Sequence, residues 1–350
     1  MKQRQGQFEF LRIICMLLII SLHVVGPLNT YLDTKNSLMS IFINSIGNIG
    51  VSCFVLISGY FGIKFKISKI LKLGLVTSVY SIVSMTIKIM LLKESMGTME
   101  VISYIVPVLS SRYWFITDYI LLSLLSPWLN WISDKANEQS FKKLIFVLLI
   151  LFSIIPTFFY FSFTNDTGKG LWNMILLYLI GRYINVYNLN IGKSAKKLIG
   201  EFLLILGIEY LLNVILYFCA GKQMRNIFAY DSSLFIIVLA IIFFCIFRKI
   251  RCFPKWSSKV SKYILEVYLV HSIVLEIIVK QWYSMFPVSS WLGGLHILYI
   301  TLGVFLISLL IACLRNAIFA KKEEKLSILL EEYILKGRMF LENYASKKCN

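Results

Sequence analysis

The chain has 350 residues, 58% of them hydrophobic and only 15% charged, with a mean hydropathy of +0.76. Soluble domains carry roughly 25% charged residues, so a soluble globular fold is excluded and a polytopic helical membrane protein is indicated. Lys and Arg number 36 against 18 Asp and Glu, a formal net charge of +18. That excess sits in the polar connections rather than in a basic–aromatic module, so anionic lipid heads are the expected partner and nucleic acid is not.

Apolar runs near the ~20 residues needed to cross a bilayer recur at about 8–28, 41–61, 70–92, 113–132, 143–161, 171–187, 198–219, 232–248, 260–281 and 291–314. The expectation is an all-α integral membrane bundle of about ten transmembrane helices, occupying 1–320. Lys2 and Arg4 precede the first run, but Arg12 interrupts it and no small-x-small site follows, so it reads as a retained helix rather than a cleaved signal. Beyond about residue 320, Leu326, Leu329, Leu330, Tyr333 and Ile334 recur at helical steps among Glu and Lys. The segment 321–350 therefore reads as a short cytoplasmic amphipathic tail on the inner leaflet.

The charges also orient the bundle. With the N-terminus inside, the inner stretches hold Lys64, Lys66, Lys69 and Lys72; Lys135, Lys142 and Lys143; Arg182, Lys193, Lys196 and Lys197; and Arg248 through Lys262. The outer stretches hold only Lys35, Lys93, Arg112, Lys169, Lys222, Arg225 and Lys280. This is the positive-inside pattern with an even number of spans, which puts both termini in the cytoplasm.

Ionisable residues inside apolar spans are functional candidates by default. In the first run, Arg12 and His23 are eleven residues apart, three helical turns plus about 20°, so they share a face roughly 16 Å apart along the axis. The plainer alternative is a snorkelling Arg12 and a His23 that bonds a neighbouring helix. Ser58 and Gly59, near the inner end of the second run, suit close helix packing. Trp114 and Asp118 lie one turn apart at the outer start of the fourth; an aromatic belt accounts for Trp114 but not for an acid in the membrane. In the ninth run Glu266 and His271 are roughly 140° apart around the helix and are not expected to touch. Lys88 and Glu209 are two further ions within spans, as structural pairs or partners of the others. The cysteines, Cys15, Cys53, Cys219, Cys245, Cys252, Cys313 and Cys349, show no C-x-x-C pairing. With three histidines in the chain, neither a disulfide framework nor a metal site is expected.

The stretches LRIICMLLIISLH, FVLISGYF, WFITDYILLSLLSPWLN and VYLVHS, with LLYLIGRYINVY and YDSSLFIIVLAIIFF, occur in an order that resembles the membrane-bound acyltransferase 3 family of sugar O-acyltransferases, in the branch found beside bacterial polysaccharide genes. The resemblance covers nearly the whole chain apart from the tail. It implies transfer of an acetyl or other short acyl group from cytoplasmic acyl-CoA, as co-substrate and with no metal, to a hydroxyl of a cell-surface or lipid-linked glycan, in a multi-pass protein of the bacterial plasma membrane. It implies an essential pair, Arg12 and His23, and more loosely catalytic Asp118, Glu266 and His271, with Arg12, Trp114 and Ser58 binding substrate. Many family members carry a fused esterase-like domain; these 350 residues contain none, which implies that transfer finishes in the membrane domain or on an intermediate. A homo-oligomer remains open.

The residue chemistry agrees. A guanidinium near the inner surface suits the coenzyme A phosphates. An imidazole deeper on the same face could reach the thioester as general base or as transient acyl carrier, with Asp118 or Glu266 to fix its tautomer. The rival of another class is a transporter or flippase of lipid-linked glycan, in which the same residues form an ion relay.

Overall fold

In the computed structural model of the chain, the described residues are 5–28, 34–159, 161–188, 192–221, 224, 226–250, 253–282 and 293–349, and no strand occurs among them. Lys2, Arg4, Lys222, Arg225, Arg251 and Cys252, which entered the sequence argument, lie outside the described residues. The helices in order are α1 (Gly6–Leu28), α2 (Thr34–Gly47), α3 (Ile49–Phe61), α4 (Ile67–Met90), α5 (Thr98–Ile105), α6 (Trp114–Lys135) and α7 (Glu138–Leu149). They continue with α8 (Ile155–Phe159), α9 (Leu171–Val186), α10 (Ala195–Ala220), α11 (Leu234–Lys249), α12 (Ser257–Val260), α13 (Ile264–Trp282) and α14 (Gly293–Cys349).

Each of the ten apolar runs falls on helix. Among the described residues six stretches are long and apolar enough to cross a membrane: Gly6–Gly26, Ser37–Phe61, Ile67–Met90, Glu138–Phe159, Ala195–Ala220 and Leu295–Gly337. Three of the other four runs fall short for local reasons. Helices α9 and α11 have 16 residues each, under the usual span length, and α6 carries Asp118, Asn130, Asp134 and Lys135.

Three features are not in the sequence reading. The second run is broken at Asn48, between α2 and α3, where the Asn48 amide donates to the Ala229 carbonyl at 2.6 Å. A π-helical turn, Ile150–Ile154, joins α7 to α8 just ahead of Pro156. A proline removes one helix donor and crowds the preceding turn, and a wider turn relieves both. Finally, the last apolar run and the tail form one helix, α14, of 57 residues, about 85 Å long. Its continuation meets α4 through the Lys72–Glu324 pair at 3.4 Å, and Ser327 is buried.

The core divides into two apolar bodies that share α1. Phe8, Leu11 and Cys15 pack with α3, α9 and α11, whereas Ile13, Met16, Ile20 and Val24 pack with α4, α13 and α14. A helix apolar on most of its circumference belongs in the interior. Helix α1 is therefore clamped from two sides, and its remaining stripe, Glu9, Arg12, Ile19 and His23, borders open space.

The first body is held by a close crossing of α3 and α9. A Cβ on Gly59 would lie 2.2 Å from the Tyr178 carbonyl oxygen, and one on Gly181 would lie 2.5 Å from that of Leu56. Only glycine permits that approach. The Tyr178 hydroxyl then donates to Asn130 on α6 at 2.7 Å and accepts the Ile63 N–H at 2.9 Å, while Arg182 pairs with Asp134 at 2.5 Å. The LLYLIGRYINVY stretch thus ties three helices together and lines neither end of the site directly, apart from Asn185.

Candidate active site

Two cavities lie along the open stripe of α1. The first, of about 720 Å³, is lined by Glu9, Arg12, Met16 and Ile19 of α1, by Phe54 and Ser58 of α3, by Phe115 and Tyr119 of α6, and by Ile264, Leu265 and Tyr268 of α13. A branch of about 260 Å³ leads from Arg12 past Lys64, Lys66 and Lys69. The second cavity, of about 550 Å³, is lined by His23, His271, Tyr268, Trp114, Lys88, Arg112 and Glu276 among others. Tyr268 lines both. Along α1 and along α13 the residue numbers rise from the first cavity into the second, so the two helices run parallel through the site.

Arg12 is held by Glu9, one turn earlier, at 2.8 Å, and Glu9 in turn accepts a hydrogen bond from Ser261. An i, i+3 pair on a helix is a natural contact, and here it fixes the guanidinium while leaving the side chain 30% exposed to the cavity. At the other end of the stripe, His23 is exposed to the second cavity and His271 is buried. Their rings lie 4.8 Å apart, centroid to centroid, at 63°.

The hydrogen bonds set the tautomers. His23 Nδ1 is 2.8 Å from the Ile19 carbonyl oxygen and His271 Nδ1 is 2.6 Å from that of Tyr268. A carbonyl only accepts, so in the neutral rings both Nδ1 atoms carry the proton. His271 Nε2 is then an acceptor, 3.3 Å from His23 Nδ1. The consequence is that His23 Nε2 holds a lone pair and is the ring nitrogen left for a ligand.

The expected site residues are partly brought together. Arg12, Ser58, Trp114, His23 and His271 all line one of the two cavities, and Ser58 Oγ donates to the Phe54 carbonyl at 2.9 Å. Asp118 lines neither; the charged group near it is Asp166. Glu266 stands in a separate polar cluster between α4, α13 and α14. It accepts from Tyr80 at 3.2 Å and from Asn316, and lies 3.9 Å from Arg315, which is itself paired with Glu323. The groups that orient the His23 ring are therefore a backbone carbonyl and a second imidazole, where the sequence suggested a carboxylate. Glu209 is remote as well, accepting from Asn213 at 2.5 Å.

Glu276, Tyr268 and Arg112 also line the second cavity and were not among the expected site residues. Glu276 binds Lys88 at 2.9 Å, and Lys88 also meets Glu94 at 3.3 Å. The available signal was the matched pair of ions Lys88 and Glu276 in two apolar runs, and Tyr268 one turn before His271. Groups of three or more metal-ligating side chains are absent among the described residues.

A family model for an acyltransferase domain matches residues 6–317, nearly the entire helical bundle. The chain belongs to the membrane-bound acyltransferase 3 family. No curated protein and no solved structure matches it. The protein is accordingly a membrane acyltransferase, and both cavities lie in the matched region.

Proposed function

We propose that this acyltransferase takes an acetyl or other short acyl group from cytoplasmic acyl-CoA and places it on a hydroxyl of a cell-surface or lipid-linked glycan, in a bacterial plasma membrane. The observation that carries the reading is the continuous α1 stripe from Arg12 to His23, running through two cavities that meet at Tyr268. With the N-terminus cytoplasmic, the Arg12 cavity is the donor side. Arg12, Lys64, Lys66 and Lys69 supply cations for the phosphates of coenzyme A. Met16, Ile19, Phe54 and Phe115 line the apolar passage that its thioester arm would follow.

The acceptor hydroxyl comes from the His23 side. His23 Nε2 takes its proton, the oxygen attacks the thioester carbonyl, the C–S bond breaks, and the departing thiolate recovers the proton from the imidazolium. Charge that builds on the ring during attack is met by the Ile19 carbonyl and by His271 Nε2, both acceptors for the Nδ1 proton. Glycan O-acetyl content, read by proton NMR in cells with the gene, without it, and with His23→Ala, tests the proposal. Loss of the O-acetyl signal in the last two is expected. Wild-type acylation by a normally abundant His23→Ala protein would remove it.

A further inference from the structure

The second cavity holds a cation for which the transfer chemistry has no use. Arg112, in the turn between α5 and α6, donates from Nη1 to Ser103 Oγ at 2.8 Å, and its guanidinium carbon lies 3.1 Å over the centre of the Tyr104 ring. Tyr104 is fully buried, so the platform under the guanidinium is fixed. Among the described residues no carboxylate pairs with Arg112. Lys88, the other cation on this wall, is different, because Glu276 and Glu94 both hold it. A second observation points the same way: the Tyr104 hydroxyl, buried at the same wall, has no hydrogen-bond partner among the described residues.

Arg112 is partly exposed at the cavity, and among the described residues most of its N–H donors are unused, so they are available to a ligand's charge. Its planar fork matches carboxylate and phosphate oxygens two at a time. Taking the acyltransferase reading as given, we propose that the acceptor is an anionic glycan whose carboxylate or phosphate is bound by Arg112. The carboxylate of Glu276, which faces the same space, does not oppose this, because Lys88 lies against it. Arg112 is then a specificity residue: it selects the charged sugar and sets its register, and the His pair does the chemistry on a neighbouring hydroxyl.

Isothermal titration of the purified full chain in lipid nanodiscs tests this with three probes: methyl β-D-glucuronide, glucose 1-phosphate and the neutral methyl β-D-glucoside. The anionic probes should bind at least about tenfold more tightly than the neutral one, the scale of a charge-assisted pair. Whichever of the two binds more tightly identifies the carboxylate or the phosphate as the native group. Arg112→Gln should erase the advantage and Arg112→Lys should keep part of it. Equal binding of charged and neutral probes, an advantage that survives in Arg112→Gln, or no binding of either anion would overturn the proposal. Release of free coenzyme A thiol from acetyl-CoA, followed on the same preparations, separates the two claims. Transfer without anion preference removes the role of Arg112 and leaves the acyltransferase reading, whereas anion binding without any thioester consumption removes that reading instead.

Discussion

Replacing His271 by Phe separates the two imidazoles. If His23 Nε2 is the base, His271 contributes one acceptor for the His23 Nδ1 proton, at 3.3 Å, while the Ile19 carbonyl at 2.8 Å remains. Losing one of two acceptors for a shared proton is worth about 0.5–1.5 kcal/mol, which at about 1.4 kcal/mol per decade is a rate loss of roughly two- to twelve-fold. Losing the base itself removes about 10²–10⁴. The His271→Phe enzyme should therefore retain measurable transfer where His23→Ala has none, and the ring should fill the buried His271 site without a cavity. The assay is coenzyme A release by purified protein at matched abundance, with glycan O-acetyl content as the cellular readout. A His271→Phe loss as large as that of His23→Ala would refute the tautomer argument and make His271 a direct participant.

Other outcomes follow from the same geometry. Arg12→Lys should weaken acetyl-CoA binding by purified protein, because an ammonium cannot both hold Glu9 and present a planar fork to a phosphate; unchanged binding would reduce Arg12 to a structural pair. Gly59→Ala should lower the melting temperature in detergent by the equivalent of about 1–3 kcal/mol, since its Cβ would meet the Tyr178 carbonyl at 2.2 Å, whereas Gly74→Ala, with open space around it, should not destabilise. Cysteines placed at Ser194 and Lys259, both exposed, should resist labelling from outside intact cells, and those at Lys93 and Lys169 should label readily; an external signal at Ser194 would contradict the assigned orientation. Glu266→Ala should destabilise the fold by about 1–3 kcal/mol by leaving Tyr80 and Asn316 without their acceptor, Arg315 keeping Glu323, while Glu266→Gln, folded and abundant, should still transfer acyl groups. Accumulated lipid-linked precursor with an unchanged acyl-to-sugar ratio in that strain would favour a flippase.

What the sequence conveyed well was whatever depends on one helix at a time. The shared face of Arg12 and His23 follows from a 3.6-residue repeat over eleven positions, and the structure shows that stripe facing the cavities. Helix positions were equally legible, because a bilayer-length apolar run is a long and redundant signal. The exceptions carry local causes, as in the break at Asn48, which a single side-chain bond to the Ala229 carbonyl accompanies. The α3–α9 crossing was half visible: Ser58–Gly59 announced close packing, but its partner Gly181 is more than a hundred residues away in sequence and no periodicity links them.

The acids show where such reasoning ends. Glu266 and Glu276 lie on the same helix, each in an apolar run, and ten residues apart they share roughly similar faces, 1000° being about 80° short of three turns. Nothing in their own neighbourhoods ranks one above the other. Their partners do: Tyr80, Arg315 and Asn316 gather Glu266 into a cluster at the junction of α4, α13 and α14, and Lys88 draws Glu276 to the wall of the His23 cavity. A buried carboxylate is placed by whichever cation or donor the neighbouring helices bring to it, so its role is a property of helix packing. An imidazole that can bond its own helix's carbonyl, as His23 does with Ile19, needs no such neighbour to be held in place. That is why the histidine could be singled out from the first helix alone while the acid that shares its cavity could not.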